Sequence, residues 1–142
     1  MRRLMGAALL ALMAVGMVLG QKAPKRVPSQ VQVARQFLLA LLRADYRKAY
    51  EKLSPDARRS MSSAQFRVAA KPLYAQGKRR GADIELYKLG FRLLENDRTE
   101  GFVAFSFAAD SLLKHPSEWL EVTFRDTASR QVLGFGLRKA GK

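Results

Sequence analysis

The chain has 142 residues, a formal net charge of +14, one histidine and no cysteine. That composition excludes a disulfide framework, a thiol nucleophile, thiolate metal ligation and a lipid carried on an N-terminal cysteine. The length suits one domain that buries its core without covalent staples.

Arg2 and Arg3 precede an apolar run from Leu4 to Leu19, with Val18 and Gly20 just before the polar Gln21. This is the layout of a cleavable secretory signal. The rival is a retained anchor, but Gly6 and Gly16 interrupt the run, which falls short of the ~20 residues that span a bilayer. Residues 1–20 are therefore expected to be a signal peptide, 21–28 ("QKAPKRVP") a charged, proline-broken linker, and 29–142 the domain of a secreted or periplasmic protein. Residues 21–80 hold 15 Lys or Arg against only Asp45, Glu51 and Asp56, whereas residues 81–142 hold nine of each sign. The excess charge lies in the first half.

Ser29 is placed to cap a helix with Val33, Phe37, Leu41 and Ala44 on one side and Gln32, Arg35, Gln36 and Arg43 on the other. Asp45 interrupts it, and Tyr46, Tyr50 and Leu53 continue at helical spacing as a short second helix. Ser54, Pro55 and Asp56 combine a capping hydroxyl, a residue preset for the first helical turn and a carboxylate at the positive helix end, predicting a further turn or two. Ser62 and Gln65 form a capping box ahead of Phe66, Ala69, Ala70 and Leu73. Pro72 is expected to kink or shorten this last helix, and Gly77 to end it.

After Gly81 the apolar period changes to two. Tyr87, Leu89, Phe91 and Leu93 alternate with Lys88, Gly90 and Arg92 and predict a strand with one buried face. "GFVAFSFAA" is apolar on both faces and suits a central strand. Leu120, Val122 and Phe124 form a third strand, with Trp119 on its less apolar face as a half-exposed contact. Leu133, Phe135 and Leu137 form a fourth, with Gly134 and Gly136 opposite allowing a sharp bend. Helices first and an antiparallel meander second define an α+β domain, N-terminal helices packed on a curved four-stranded antiparallel sheet.

The run "VARQFLLALLRADYRKAYEKLSPDARRSMSSAQF" carries a long helix, a D-Y step, an aromatic-bearing short helix, "LSPDARRSMS" and a second long helix entering on Phe66. It resembles the nuclear transport factor 2-like superfamily, small secreted members above all, over roughly residues 29–138. The resemblance implies a cone-like sheet wrapped around helices that enclose a conical cavity. It also implies that an enzyme of this kind would set Asp, His or Tyr in the cone.

No such chemistry is visible in the residues. His115, in "LLKHPSE", is expected in an exposed loop with no carboxylate to orient it. Asp83 and Asp110 read as element ends. One histidine and scattered carboxylates predict no metal site, "GFG" lacks the elements of a phosphate loop, and Ser60, Ser62 and Ser63 lack a nucleophile context. No catalytic residue and no cofactor is assigned.

Two surfaces remain. Tyr50, Tyr74, Phe91, Phe105 and Phe135 are candidates to line a pocket for a small apolar ligand, against ordinary core packing. Arg47, Lys48, Lys52, Arg58, Arg59, Lys78, Arg79 and Arg80 are candidates for a basic face toward anionic membrane or cell-wall polymers, against a merely solvated surface. No stacking motif for specific nucleic acid is present. The expectation is a non-catalytic envelope binding module for an unknown protein or ligand, with a homodimer compatible. The alternatives are a small isomerase, dehydratase or hydrolase using the cone, and a weak binder of anionic surfaces.

Overall fold

The computed structural model describes residues 27–141. The expected signal peptide at 1–20, and the linker up to residue 26, lie outside the described residues. Helices α1 (Gln30–Leu42), α2 (Tyr46–Glu51), α3 (Pro55–Ser60) and α4 (Ser63–Arg80) come first. Their starts follow from local chemistry. The Ser29 hydroxyl accepts from the Gln32 amide at 3.1 Å, and the Gln32 side chain accepts from the Ser29 amide at 2.8 Å. Ser62 and Gln65 repeat this box at 3.2 and 2.8 Å, and Ser54 caps α3 at 3.1 Å with Pro55 behind it. Each box satisfies two amides that a helix start leaves open.

Strands β1 (Ile84–Leu93), β2 (Thr99–Phe107), β3 (Glu118–Phe124) and β4 (Val132–Lys139) follow, paired antiparallel in sequence order. The fold is α+β, with the expected helices on a four-stranded antiparallel sheet. Phe105, Phe107, Leu120, Val122 and Phe124 point from one sheet face into Phe37, Leu38, Leu41, Phe66 and Leu73 of α1 and α4, and all ten are essentially inaccessible. Phe135 meets Phe37 and Phe66 edge to face at 5.2 and 5.3 Å between centroids, and Phe37 and Phe66 lie tilted to each other at 6.2 Å. This geometry suits the ring quadrupoles and joins α1, α4 and β4 in one cluster.

Three local expectations are corrected. Pro72 does not shorten α4, because it and Val68, whose carbonyl the proline leaves without an amide, lie on the exposed helix side where water serves. Gly77 does not end α4 either. It is buried in the helix against α1, where an added Cβ would come within 2.7 Å of Leu42 Cδ2. The terminator is Gly81, whose φ of 92° disfavours a side chain.

The third correction concerns β1. Its pairing with β2 shifts between Leu86 and Lys88, so Tyr87 is an extra residue. Leu86 pairs with Phe105 and Leu89 with Val103, both on the helix side, while Tyr87 turns to the other face and meets Trp119 at 5.7 Å. Leu89, Phe91 and Leu93 are not buried. They are 57%, 61% and 77% exposed, because α1 reaches this strand at Ile84, where Arg35 bonds its carbonyl at 2.9 Å, and no helix among the described residues covers the rest.

Two substitutions test this account by their denaturation midpoints. Phe66→Ala is expected to lower stability by about 3–5 kcal/mol, as a large aromatic lost from a packed core. Ser62→Ala is expected to cost about 1 kcal/mol as a lost cap.

Candidate functional site

The aromatic candidates do not gather around one cavity. Tyr50 and Phe135 share the cluster around Phe66, at 5.4 and 5.3 Å from its ring, and the Tyr50 hydroxyl donates to the Met61 carbonyl at 3.1 Å. Phe105 is fully buried beneath the Arg35 guanidinium, 5.0 Å from its ring centre. Tyr74 is half-buried on α4 with the Lys78 ammonium 5.6 Å from its ring, and Phe91 stands exposed on β1. Beside the aromatic cluster is a recess of about 130 Å³ lined by Leu53, Ala57, Met61, Ala69 and Phe135. That is small against the roughly 300–1,000 Å³ of typical ligand pockets.

The sheet face away from the helices carries a buried carboxylate that local sequence did not reveal. Glu121 is 2% exposed and sits between the small residues Ala104 and Gly136 in the strand register. Arg92 reaches it across the Phe102 ring, 4.4 Å from the ring centre, and bonds Oε1. Arg138 lies 3.8 Å from the same oxygen, and Trp119 Nε1 donates to Oε2 at 3.3 Å. Trp119 is half-buried, with the Lys88 ammonium 4.8 Å above its ring. Both carboxylate oxygens are engaged, so Glu121 is a tie between β1, β3 and β4 and not a free base. Only strand pairing brings Arg92 to it, so no spacing in sequence could have disclosed it.

Asp110 is a second buried acid, with its side chain 9% exposed, and Arg80 bonds it while lying 3.4 Å from Glu118. Arg80 was a candidate for the basic face. It instead pins the end of α4 to the β2–β3 connection, its guanidinium 4.8 Å from the Phe107 ring centre. His115 is exposed in that connection. Among the described residues no three His, Cys, Asp or Glu side chains come together as metal ligands.

The other basic candidates lie on the helical side. Arg47 pairs with Glu51 at 3.5 Å, Lys48 with Asp45 at 3.9 Å, and Arg59 with Asp56. Lys48 and Lys52 line a groove of about 540 Å³ with Gln36, Arg43, Asp45 and Glu51, in which Lys52 donates to Gln36 at 3.2 Å. Arg58, Lys78 and Arg79 are exposed and have no ion-pair partner among the described residues. Arg67 and Lys71 join them on α4, and the sequence reading passed over both. The signal was there: from Ala57 to Ala82 the chain has no carboxylate.

No protein-family model, curated protein or solved structure matches the chain. Among the described residues no helix is long and apolar enough to cross a membrane.

The adjacent residues Arg79 and Arg80 separate structural from free charge. Arg80→Ala leaves a buried carboxylate without its cation and is expected to destabilise by about 2–4 kcal/mol. Arg79→Ala is expected to change stability by less than about 0.5 kcal/mol. Urea unfolding of the two variants measures the difference.

Proposed function

We propose that the protein is a non-catalytic exported binding module of the cell envelope that rests on anionic lipid surfaces through the outward face of α4. Kinship with nuclear transport factor 2-like domains is part of this reading, supported by the order of helices and strands. Export is supported by the composition of residues 1–20.

The observation that carries the proposal is the makeup of α4. At 100° per residue, the buried Phe66, Ala70, Leu73 and Gly77 turn Ala64, Val68, Pro72, Ala75 and Arg79 outward, with Arg67, Lys71 and Lys78 along one flank. Val68 is 65% exposed, which the core does not need, and the four cations have no carboxylate partner among the described residues. A narrow apolar line beside a row of cations fits a headgroup interface. Each cation held near an anionic leaflet contributes about 1 kcal/mol, so four give weak, salt-sensitive adsorption. A charged polymer would use the cations alone, and the exposed apolar line favours lipid.

Sedimentation with vesicles of phosphatidylglycerol and phosphatidylcholine tests this. Binding is expected to be absent on pure phosphatidylcholine and to fall away as salt rises past 0.1 M, where screening reaches ~10 Å. Lys71→Glu with Lys78→Glu should abolish it while leaving the fold intact, since exposed charges contribute little to stability. Val68→Ser should weaken vesicle binding and leave binding to soluble heparin unchanged. Salt-independent binding, or a charge-reversed variant that binds like the parent, overturns the proposal.

A further inference from the structure

The distal half of β1 is an apolar surface that the described residues leave uncovered. On the helix side Leu86, Leu89, Phe91 and Leu93 are 43%, 57%, 61% and 77% exposed, a continuous row along a ten-residue strand. β1 is also an edge of the sheet. The two edges are treated differently. At β4 the Ser54 amide donates to the Val132 carbonyl at 2.8 Å, and the Val132 amide donates to the Lys52 carbonyl at 2.9 Å, so the α2–α3 segment occupies the start of that edge. Among the described residues no segment pairs along the outer edge of β1. A long, apolar, open edge is a template for another strand.

We infer that this edge takes a second copy of the chain, β1 pairing antiparallel with β1 about a two-fold axis at Phe91. Three features select a copy of itself as the occupant. First, the register is self-complementary: Leu89 of each chain falls opposite Leu93 of the other, and Phe91 opposite Phe91, all on one face. Second, the charges fit. Lys88 has no carboxylate partner within the described residues, and the pairing brings it to the level of Leu94 in the copy, beside Glu95, which also has no ion pair there. Arg92 falls opposite Gly90, and its own Glu121 and Glu100 neutralise it, so the two arginines do not repel. Third, residues 81–142 hold equal numbers of acids and bases, whereas the cation-rich helical faces of two copies repel. The sheet edge is the side on which copies can approach.

Sedimentation velocity of the chain over a range of concentrations tests the pairing, with the expected mass rising reversibly from monomer to dimer. Phe91→Asp should weaken the dimer roughly tenfold or more, as removal of a central aromatic anchor does, without changing the circular dichroism, while Val68→Asp should leave the dimer intact. The absence of cysteine allows a second readout. Phe91→Cys at the axis should cross-link to its copy under mild oxidation, and Lys139→Cys on β4 should not. A monomer at every concentration overturns the inference, including one in which residues before Val27 shield the row. A dimer indifferent to Phe91→Asp, or cross-linking no faster at Phe91→Cys than at Lys139→Cys, overturns it equally.

Discussion

The contact among the rings of Phe37, Phe66 and Phe135 is the constraint on which the arrangement of layers depends. Each ring comes from a different element, and Tyr50 adds a fourth through its contact with Phe66. Between them they fix the two long helices and the last strand against one another. The short helices then have little freedom. The Tyr50 hydroxyl holds the Met61 carbonyl just before α4, and Leu53 bridges to Val132 at the start of β4. The close approach at Gly77 follows from the same arrangement, since α1 and α4 must come near enough for Phe37 and Phe66 to share one space.

What could be read in the sequence was whatever a short window decides. Ser29 with Gln32 and Ser62 with Gln65 form their capping boxes inside four residues, and both helices start where those residues stand. The alternation of Leu120, Val122 and Phe124 survives because β3 has neighbours on both sides and helices above. The alternation in β1 misled for the opposite reason. Periodicity reports which residues share a face, not whether anything covers it, and the extra residue at Tyr87 broke the count. The pocket candidates were lost in the same way: Phe91 and Phe105 each sit on the apolar side of a strand, yet one is exposed and the other sealed.

Charge is divided by task across the molecule. Four of the nine acids of the sheet half are committed to two arginines: Glu121 and Glu100 to Arg92, Asp110 and Glu118 to Arg80. These ties cross between elements far apart in the chain, and the two most buried, at Glu121 and Asp110, cannot lose their cations cheaply. The cations of α4 other than Arg80 have no such duty. A net charge of this size thus coexists with a well-neutralised interior, since the surplus is carried where water solvates it.

The bulge at Tyr87 has a consequence for how this sheet tolerates change in length. With Tyr87 taken out, Ile84, Leu86, Leu89, Phe91 and Leu93 fall at strictly alternate positions, each still facing the side it faces now. Residue 87 is therefore a place where the strand can lose one residue without turning its distal half inside out. A one-residue deletion beyond the bulge, from Leu89 onward, would leave the extra residue in place and send the apolar residues after it to the polar face. What disappears with Tyr87 is the added bend and twist that a bulge gives its strand, together with the ring that shelters Trp119. The strand would run straighter across the sheet, and Lys88 would be left as the cover over the indole.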